Sequence, residues 1–225
     1  MIMVDFATLR SRMVEHQLRT FDITDRRIQD AMGHIPREVF LPMSRRPLAY
    51  LDEPVALVDQ EPGKLGRFLT RPAVFAKMLQ KAEIEHTDVV LVVGAGTGYP
   101  CAVVGQLADS VVGLECDEDL GNQASDKLAQ LGIENAAVVV GPLEAGWAPE
   151  APYDVIVVDG AVETPIDTLT GQLKDGGRLV VVNGRGLSAM ACVYRRSGDT
   201  VGSWPAFNAA APILPGFEKP KEFVF

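Results

Sequence analysis

Three glycines at alternate positions, Gly94, Gly96 and Gly98, follow directly on the apolar run Val89-Val90-Leu91-Val92-Val93. A chain that leaves a strand through glycines can turn tightly and admits a ligand close to the main chain, because no Cβ stands in the way. A helix opening at Tyr99 would add unpaired N–H groups and a partial positive charge at the same spot. Glu115 stands 21 residues beyond Gly94, at the end of the next apolar run, Val111 to Leu114. A carboxylate there can accept hydrogen bonds from ribose hydroxyls. Each signal has a plainer reading. A glycine turn can simply pack a helix on a strand, and an acid after a strand is often a helix cap, a task Asp117 or Asp119 can also perform. Both signals within one strand–helix–strand unit favour a nucleoside-containing ligand.

The spacing narrows the nucleoside. Dinucleotides are wrapped by GxGxxG, whereas this chain has GxGxG, with the third glycine one residue early. S-adenosylmethionine has no pyrophosphate to wrap, and the spacing favours it over NAD. Other chemistries find little support. The histidines, His16, His34 and His86, are scattered, and the cysteines, Cys101, Cys116 and Cys192, form no CxxC pair, so no metal site is expected. A net charge of -9 argues against a phosphate-neutralising surface, and so against nucleic acid as a partner. No apolar run approaches the ~18 residues of a membrane span, and the N-terminus has no apolar stretch of signal length. Sparse cysteines fit a reducing compartment. A cytoplasmic monomer is the expectation.

The elements that must hold these residues follow from periodicity. Phe6, Leu9, Met13 and Leu18 make a rough helical stripe over 6–20. A second helix is predicted after Asp22, with Ile28, Ala31 and Met32 on one face and an end at Gly33. Residues 36–66 carry five prolines, at 36, 42, 47, 54 and 62, and read as loop. Pro72 opens a helix to about Ala82. Strands are predicted at 89–93, 111–114, 137–140, 155–158 and 178–182, with helices at 99–108, 119–131 and 165–173. Such alternation with short links implies a mostly parallel sheet with helices on both faces, an α/β Rossmann-like architecture. The tail, 190–225, reads as antiparallel additions at the sheet edge. The whole chain, 1–225, reads as one domain, with an N-terminal elaboration (1–70), a cofactor-binding core (72–183) and edge strands and turns (190–225).

The tail from Phe207 to Phe217 resembles a divergent bacterial branch of the protein-L-isoaspartate O-methyltransferases, and several further segments resemble that family at large. They are Met13-Val14-Glu15-His16-Gln17-Leu18-Arg19, Ile35-Pro36-Arg37-Glu38-Val39-Phe40-Leu41-Pro42, Ala49-Tyr50-Leu51-Asp52, Leu69-Thr70-Arg71-Pro72, Gly94 to Tyr99, Ala151-Pro152-Tyr153-Asp154 and Gln172 to Val180. They come in the family's order, and the N-terminal ones make the resemblance specific. It implies methyl transfer from S-adenosylmethionine to the side-chain carboxylate of isoaspartyl residues in damaged peptides or proteins, with no metal. The enzyme then supplies mainly proximity and orientation.

The resemblance also carries the site residues over. Phe68, Leu69 and Thr70 fall on the family's "TIS" catalytic loop. Gly94, Ala95, Gly96, Gly98, Glu115 and Gly141 fall on its cofactor-binding positions. Four departures stand out. Phe68 replaces a threonine, Thr70 replaces a serine, Val92 replaces an acid ahead of the glycine loop, and Pro142 replaces the aspartate of a "GDG". Asp159, ending the fourth core strand, either replaces a lost cofactor contact or caps a turn. Arg67 and Arg71 flank the substrate loop and either bind a carboxylate or stay solvated, the latter being the simpler expectation. The tail from Phe207 to Phe217 is expected to pack on the N-terminal segment. Weakened methylation follows from the departures. A cofactor-binding module with little transfer, a methyltransferase with another substrate and a nicotinamide-dependent oxidoreductase are the competing functions.

Overall fold

Alternate residues of the run Val89–Val93 feed two cores. In the computed structural model, which describes residues 4–59 and 65–220, Val90 and Val92 pack into one and Leu91 and Val93 into the other, because successive strand residues face opposite sides. Val155/Ile156/Val157/Val158 and Leu179/Val180/Val181/Val182 divide the same way. All of these side chains are fully buried. A sheet with both faces covered is what near-continuous Val/Ile/Leu strands require.

In chain order, α1 (Phe6–Met13) continues into a π-helical stretch, Val14–Leu18. Then come α2 (Arg26–His34), 3-10 segments at Arg37–Phe40 and Met43–Leu48, β1 (Val55–Ala56), β2 (Phe68–Leu69), α3 (Pro72–Ala82), β3 (Val89–Val93) and α4 (Tyr99–Val104). β4 (Ser110–Glu115), α5 (Glu118–Gln130), β5 (Ala136–Val140), β6 (Tyr153–Val162), α6 (Asp167–Thr170), β7 (Leu173–Asn183), β8 (Met190–Ser197) and β9 (Thr200–Asn208) follow. The main sheet runs β5-β4-β3-β6-β7-β8-β9. Its first five strands are parallel, and β8 and β9 join antiparallel. The small pair β1–β2 stands apart from it.

The boundaries follow local chemistry. The second helix starts at Arg26 and not after Asp22, because Asp22 sits at φ 59° and Asp25 supplies the cap, accepting from the Arg27 N–H. Pro72 opens α3 as expected, and its Ala73 N–H is capped from a distance by Asp52 Oδ1 at 3.1 Å. Asp117, not Asp119, caps α5 through the Leu120 N–H. α4 ends at Val104, short of the expected 108, where Gly105 follows. The helix expected over 165–173 shrinks to the single turn α6, because Gly171 ends it and Leu173 already belongs to β7. The second face of the sheet is therefore covered by α6 and by irregular chain carrying Leu143, Ile166, Leu214 and Phe217.

The tail departs from its expected position. Phe207 does pack edge-on against Phe21 of the N-terminal segment, ring centroids 6.2 Å apart. Ile213, however, forms a parallel bridge with Ala161 of β6, and Leu214 and Phe217 join the opposite core. Leu214 N donates to the Ala161 carbonyl at 2.9 Å, which draws the tail across the ends of the central strands. Of the 36–66 stretch, Pro62 lies outside the described residues.

Candidate functional site

The strand order reverses beside β3. The chain steps outward from β3 to β4 and β5, then returns to lay β6 on the other flank. A crevice opens at the carboxyl ends of strands at such a switch point, and ligands of open α/β sheets bind there. The glycine loop leaves β3 at that end, Glu115 is the last residue of β4, and Asp159 stands in β6 directly after Val158, which pairs with Val93.

Gly94, Gly96 and Gly98 all have left-handed φ, at 88°, 56° and 99°. The N–H groups of Gly94 and Ala95 both donate to the Leu114 carbonyl at 2.9 Å, pinning the loop to β4. The glycines divide by what they face. A Cβ on Gly94 would meet Leu214 and Arg67, and one on Gly96 would meet Leu57 Cδ1 at 2.7 Å. One on Gly98 would meet the backbone of Ala124 in α5 at 3.2 Å, so Gly98 serves helix packing. Ala95 lies against Gly113 of β4. Gly141 ends β5 with its N–H on the Glu115 carbonyl at 2.9 Å, and a Cβ there would make only ordinary contacts.

Glu115 is completely buried and saturated. Its Oε1 accepts from Arg67 Nε at 3.0 Å, Cys116 N at 3.0 Å and Asp117 N at 3.2 Å. Its Oε2 accepts from Arg67 Nη2 at 2.7 Å and Gly96 N at 2.6 Å. Burial pushes its carboxyl upward, but the Arg67 charge and these hydrogen bonds outweigh it and hold Glu115 below the usual carboxylate range. Arg67 is 4% exposed, which corrects the expectation of a solvated surface charge. Its N–H fork meets the carboxylate bidentately, the geometry of strong charge-assisted pairs. Arg71 sits partly exposed on Asp52.

The expected substrate loop lies beside this pair. Phe68 and Leu69 form β2, Leu69 and Thr70 are buried, and Phe68 is half-buried. Arg37, 1% exposed, donates to the Thr70 carbonyl at 2.7 Å and the Ala49 carbonyl at 2.8 Å, and stacks 4.7 Å from the Tyr99 ring centroid. It thereby locks the loop to the helix that follows the glycines. The Thr70 side chain faces Asp159. Burial pushes Asp159 up to about 6, with Thr70, Arg37 and Arg67 pulling the other way. Asp159 Oδ1 is buried with no hydrogen-bond partner among the described residues. Asp159 therefore caps nothing with that oxygen.

Three residues of this region had no role in the sequence reading: Arg37, Leu57 and Leu214. Arg37 stands within a recognised motif, yet nothing local marks an arginine as buried. Leu57 and Leu214 read as ordinary apolar residues. Val92 is a fully buried core residue. No metal-holding cluster of His, Cys, Asp or Glu occurs among the described residues.

A family model described as "Protein-L-isoaspartate(D-aspartate) O-methyltransferase (PCMT)" matches residues 9–204. A curated relative from Koribacter versatilis, named protein-L-isoaspartate O-methyltransferase, is 40% identical over 194 residues, covering 86% of this chain and 85% of its own. A solved structure of that name is 27% identical with a TM-score of 0.79, covering 92% of this chain and 66% of the longer one. A Plasmodium falciparum structure, titled as a putative enzyme of the same kind in complex with S-adenosyl-L-homocysteine, shares the fold at 17% identity and a TM-score of 0.74, over 91% of this chain.

Proposed function

The chain belongs to the protein-L-isoaspartate (D-aspartate) O-methyltransferase family, and from that membership we propose that it methylates the side-chain carboxylate of isoaspartyl residues in damaged peptides and proteins. The observation that carries this reading is the convergence of the glycine loop, Glu115, Asp159 and Thr70 at one switch point. S-adenosylmethionine, when bound, supplies an electrophilic methyl group.

The residues present fit that cofactor. Gly94 and Gly96 present no Cβ, and only the side chains of Leu57, Leu214 and Arg67 lie over them, so a ligand that displaces those side chains meets the main chain directly. Glu115 is the acceptor for ribose hydroxyls, and Asp159, whose Oδ1 has no partner among the described residues, lines the same crevice as a buried acid without being required as a ligand contact. Gly141 closes the end of β5 beside them, while Ala95 and Gly98 act by packing. Phe68, Leu69 and Thr70 form the substrate loop, with Thr70 positioned by Arg37. A substrate carboxylate is already nucleophilic at neutral pH, so these residues need only bind and orient it and exclude water. Residues 1–225 act as one methyltransferase-like domain. No helix among the described residues is long and apolar enough to cross a membrane. The same reading makes the chain a cytoplasmic monomer whose three cysteines stay free, with proteins rather than nucleic acid as partners. A cofactor-binding module with little transfer is the second reading, favoured by the ring of Phe68 in the substrate loop.

The test has two arms. S-adenosylhomocysteine, but not NAD, should bind in calorimetry, and Gly96→Val should lose at least tenfold in affinity, because its side chain enters space already contacted by Leu57. Labelled methyl should pass to an isoaspartyl peptide and not to its aspartyl isomer. Equal binding by Gly96→Val would misplace the crevice. Binding without transfer would favour the module.

A further inference from the structure

The nucleoside crevice is closed by the protein's own side chains. Leu57 covers Gly96, Leu214 covers Gly94 and Gly160, and Arg67 lies over Gly94 while holding Glu115. An ionised carboxylate offers about four lone-pair sites. Glu115 already accepts from five N–H groups, namely Arg67 Nε and Nη2 and the backbone of Gly96, Cys116 and Asp117. The backbone donors are fixed by the turn. Ribose hydroxyls reach Glu115 only where Arg67 lets go.

A guanidinium that lets go inside a closed site needs another anion, because an unpaired buried charge is strongly disfavoured. The site contains one. Asp159 is 4% exposed, its Oδ1 has no partner among the described residues, and it lies close enough to Arg67 for each to shift the other's ionisation. We propose that Arg67 is a two-position residue, paired with Glu115 while the crevice is closed and with Asp159 once ribose hydroxyls take Glu115. This rests on the cofactor reading above. In its second position the arginine neutralises the acid that faces Thr70, so an incoming substrate carboxylate meets an ion pair and not a bare negative charge. Cofactor occupancy thereby prepares the substrate loop, and Arg67 acts as a positioning residue.

The exchange has a protonic signature. The titratable and polar groups that act on Asp159 are Arg37 from the 3-10 segment, Arg67 and Thr70 flanking β2, and Glu115 from β4, while its own charge acts on Tyr99 and Cys101 of α4. With its carboxyl near 6, Asp159 is about half protonated at pH 6. An arginine arriving on it expels that proton.

The experiment is calorimetric titration of S-adenosylhomocysteine into the full chain at pH 6, in two buffers of different ionisation enthalpy. The parent should release about half a proton per ligand bound, falling towards zero at pH 8. Asp159→Asn should bind with no release. Arg67→Met should bind with no release, and Arg67→Lys should restore part of it. Near-ultraviolet circular dichroism establishes that each variant is folded, and Asp159→Asn and Arg67→Met report independently should either fail. Binding by the parent with no proton release overturns the proposal while leaving the cofactor reading intact. Release that persists in Arg67→Met also overturns it, since the ligand itself would then discharge Asp159. No binding by the folded parent overturns the cofactor reading and the proposal together.

Discussion

Glu115 illustrates how one residue's environment changes the meaning of its removal. Seen only as a ribose acceptor, its loss would weaken ligand binding by roughly 1.5–3 kcal/mol and spare the fold. In the structure it is the counter-ion of a buried arginine, and both partners are at most 5% exposed at the side chain. Removing one member of such a pair strands the other and costs about 3–5 kcal/mol, a large share of the roughly 5–15 kcal/mol that holds a domain together. Glu115→Ala is therefore expected to destabilise strongly, and Arg67→Met to do so comparably. The double variant should recover most of the loss, because neither charge is then left unpaired. Urea unfolding of the four proteins at constant m-value measures the coupling. Additive losses in the double variant would mean that the two side chains contribute independently. The pairing was not legible in the sequence. Arg67 and Glu115 are 48 residues apart, and no local pattern marks an arginine beside a loop as buried. The glycines and Glu115 itself were legible, since strand, turn and acid lie within one short unit.

The same division between local and distant signals holds for the elements. β3, α3, β4, α5 and β5 were legible because apolar periodicity, Pro72 and the capping acids act within a few residues. α6 is shorter than periodicity predicts, and the tail lies partly away from its expected place, because Leu214 finds its position through Ala161 and Gly160 of β6. The substrate loop combines both kinds of signal. Its place was legible from the motif, but its fixation is tertiary: Leu57 N donates to the Arg67 carbonyl at 2.8 Å, and Arg37 holds the Thr70 carbonyl. With the backbone held at both ends, a change of side chain at Phe68 should alter chemistry more than structure. The half-buried ring occupies the position where the family carries a hydroxyl, and a lost positioning hydrogen bond is worth about 0.5–1.5 kcal/mol. Phe68→Thr should then raise single-turnover methyl transfer to an isoaspartyl peptide by roughly threefold to tenfold, with binding of S-adenosylhomocysteine changed little. A family enzyme with an intact "TIS" loop should outpace the parent in the same assay. Parity between the parent and that enzyme would show that the ring costs nothing.

At the scale of the whole molecule the sign of pH dependence is set by which carboxylates the fold stabilises as ions and which it does not. Glu115 is held below its ordinary range by Arg67, and burial of Asp154 is outweighed by Lys174 and the Val89 N–H, which hold it low as well. Their contribution is complete above the unfolded carboxylate range and is lost as pH falls through their folded values. Asp159 behaves in the opposite sense. Burial raises it from 3.8 to about 6, so the folded state binds its proton more tightly than the unfolded chain does. Its favourable contribution is full below about pH 4, shrinks as pH rises, and is gone above about pH 6, where the buried acid must ionise. Each pKa unit corresponds to about 1.4 kcal/mol, so the swing for this one group is on the order of 2–3 kcal/mol. Asp159→Asn keeps the shape and removes the titration. The variant should match the parent near pH 4 and exceed it at pH 7–8 by that order, measured by urea unfolding across the range. A variant less stable than the parent at pH 8, with the two equal at pH 4, would mean that the ionised carboxylate is held by a partner, and the placement of Asp159 as an unpaired buried acid would be wrong.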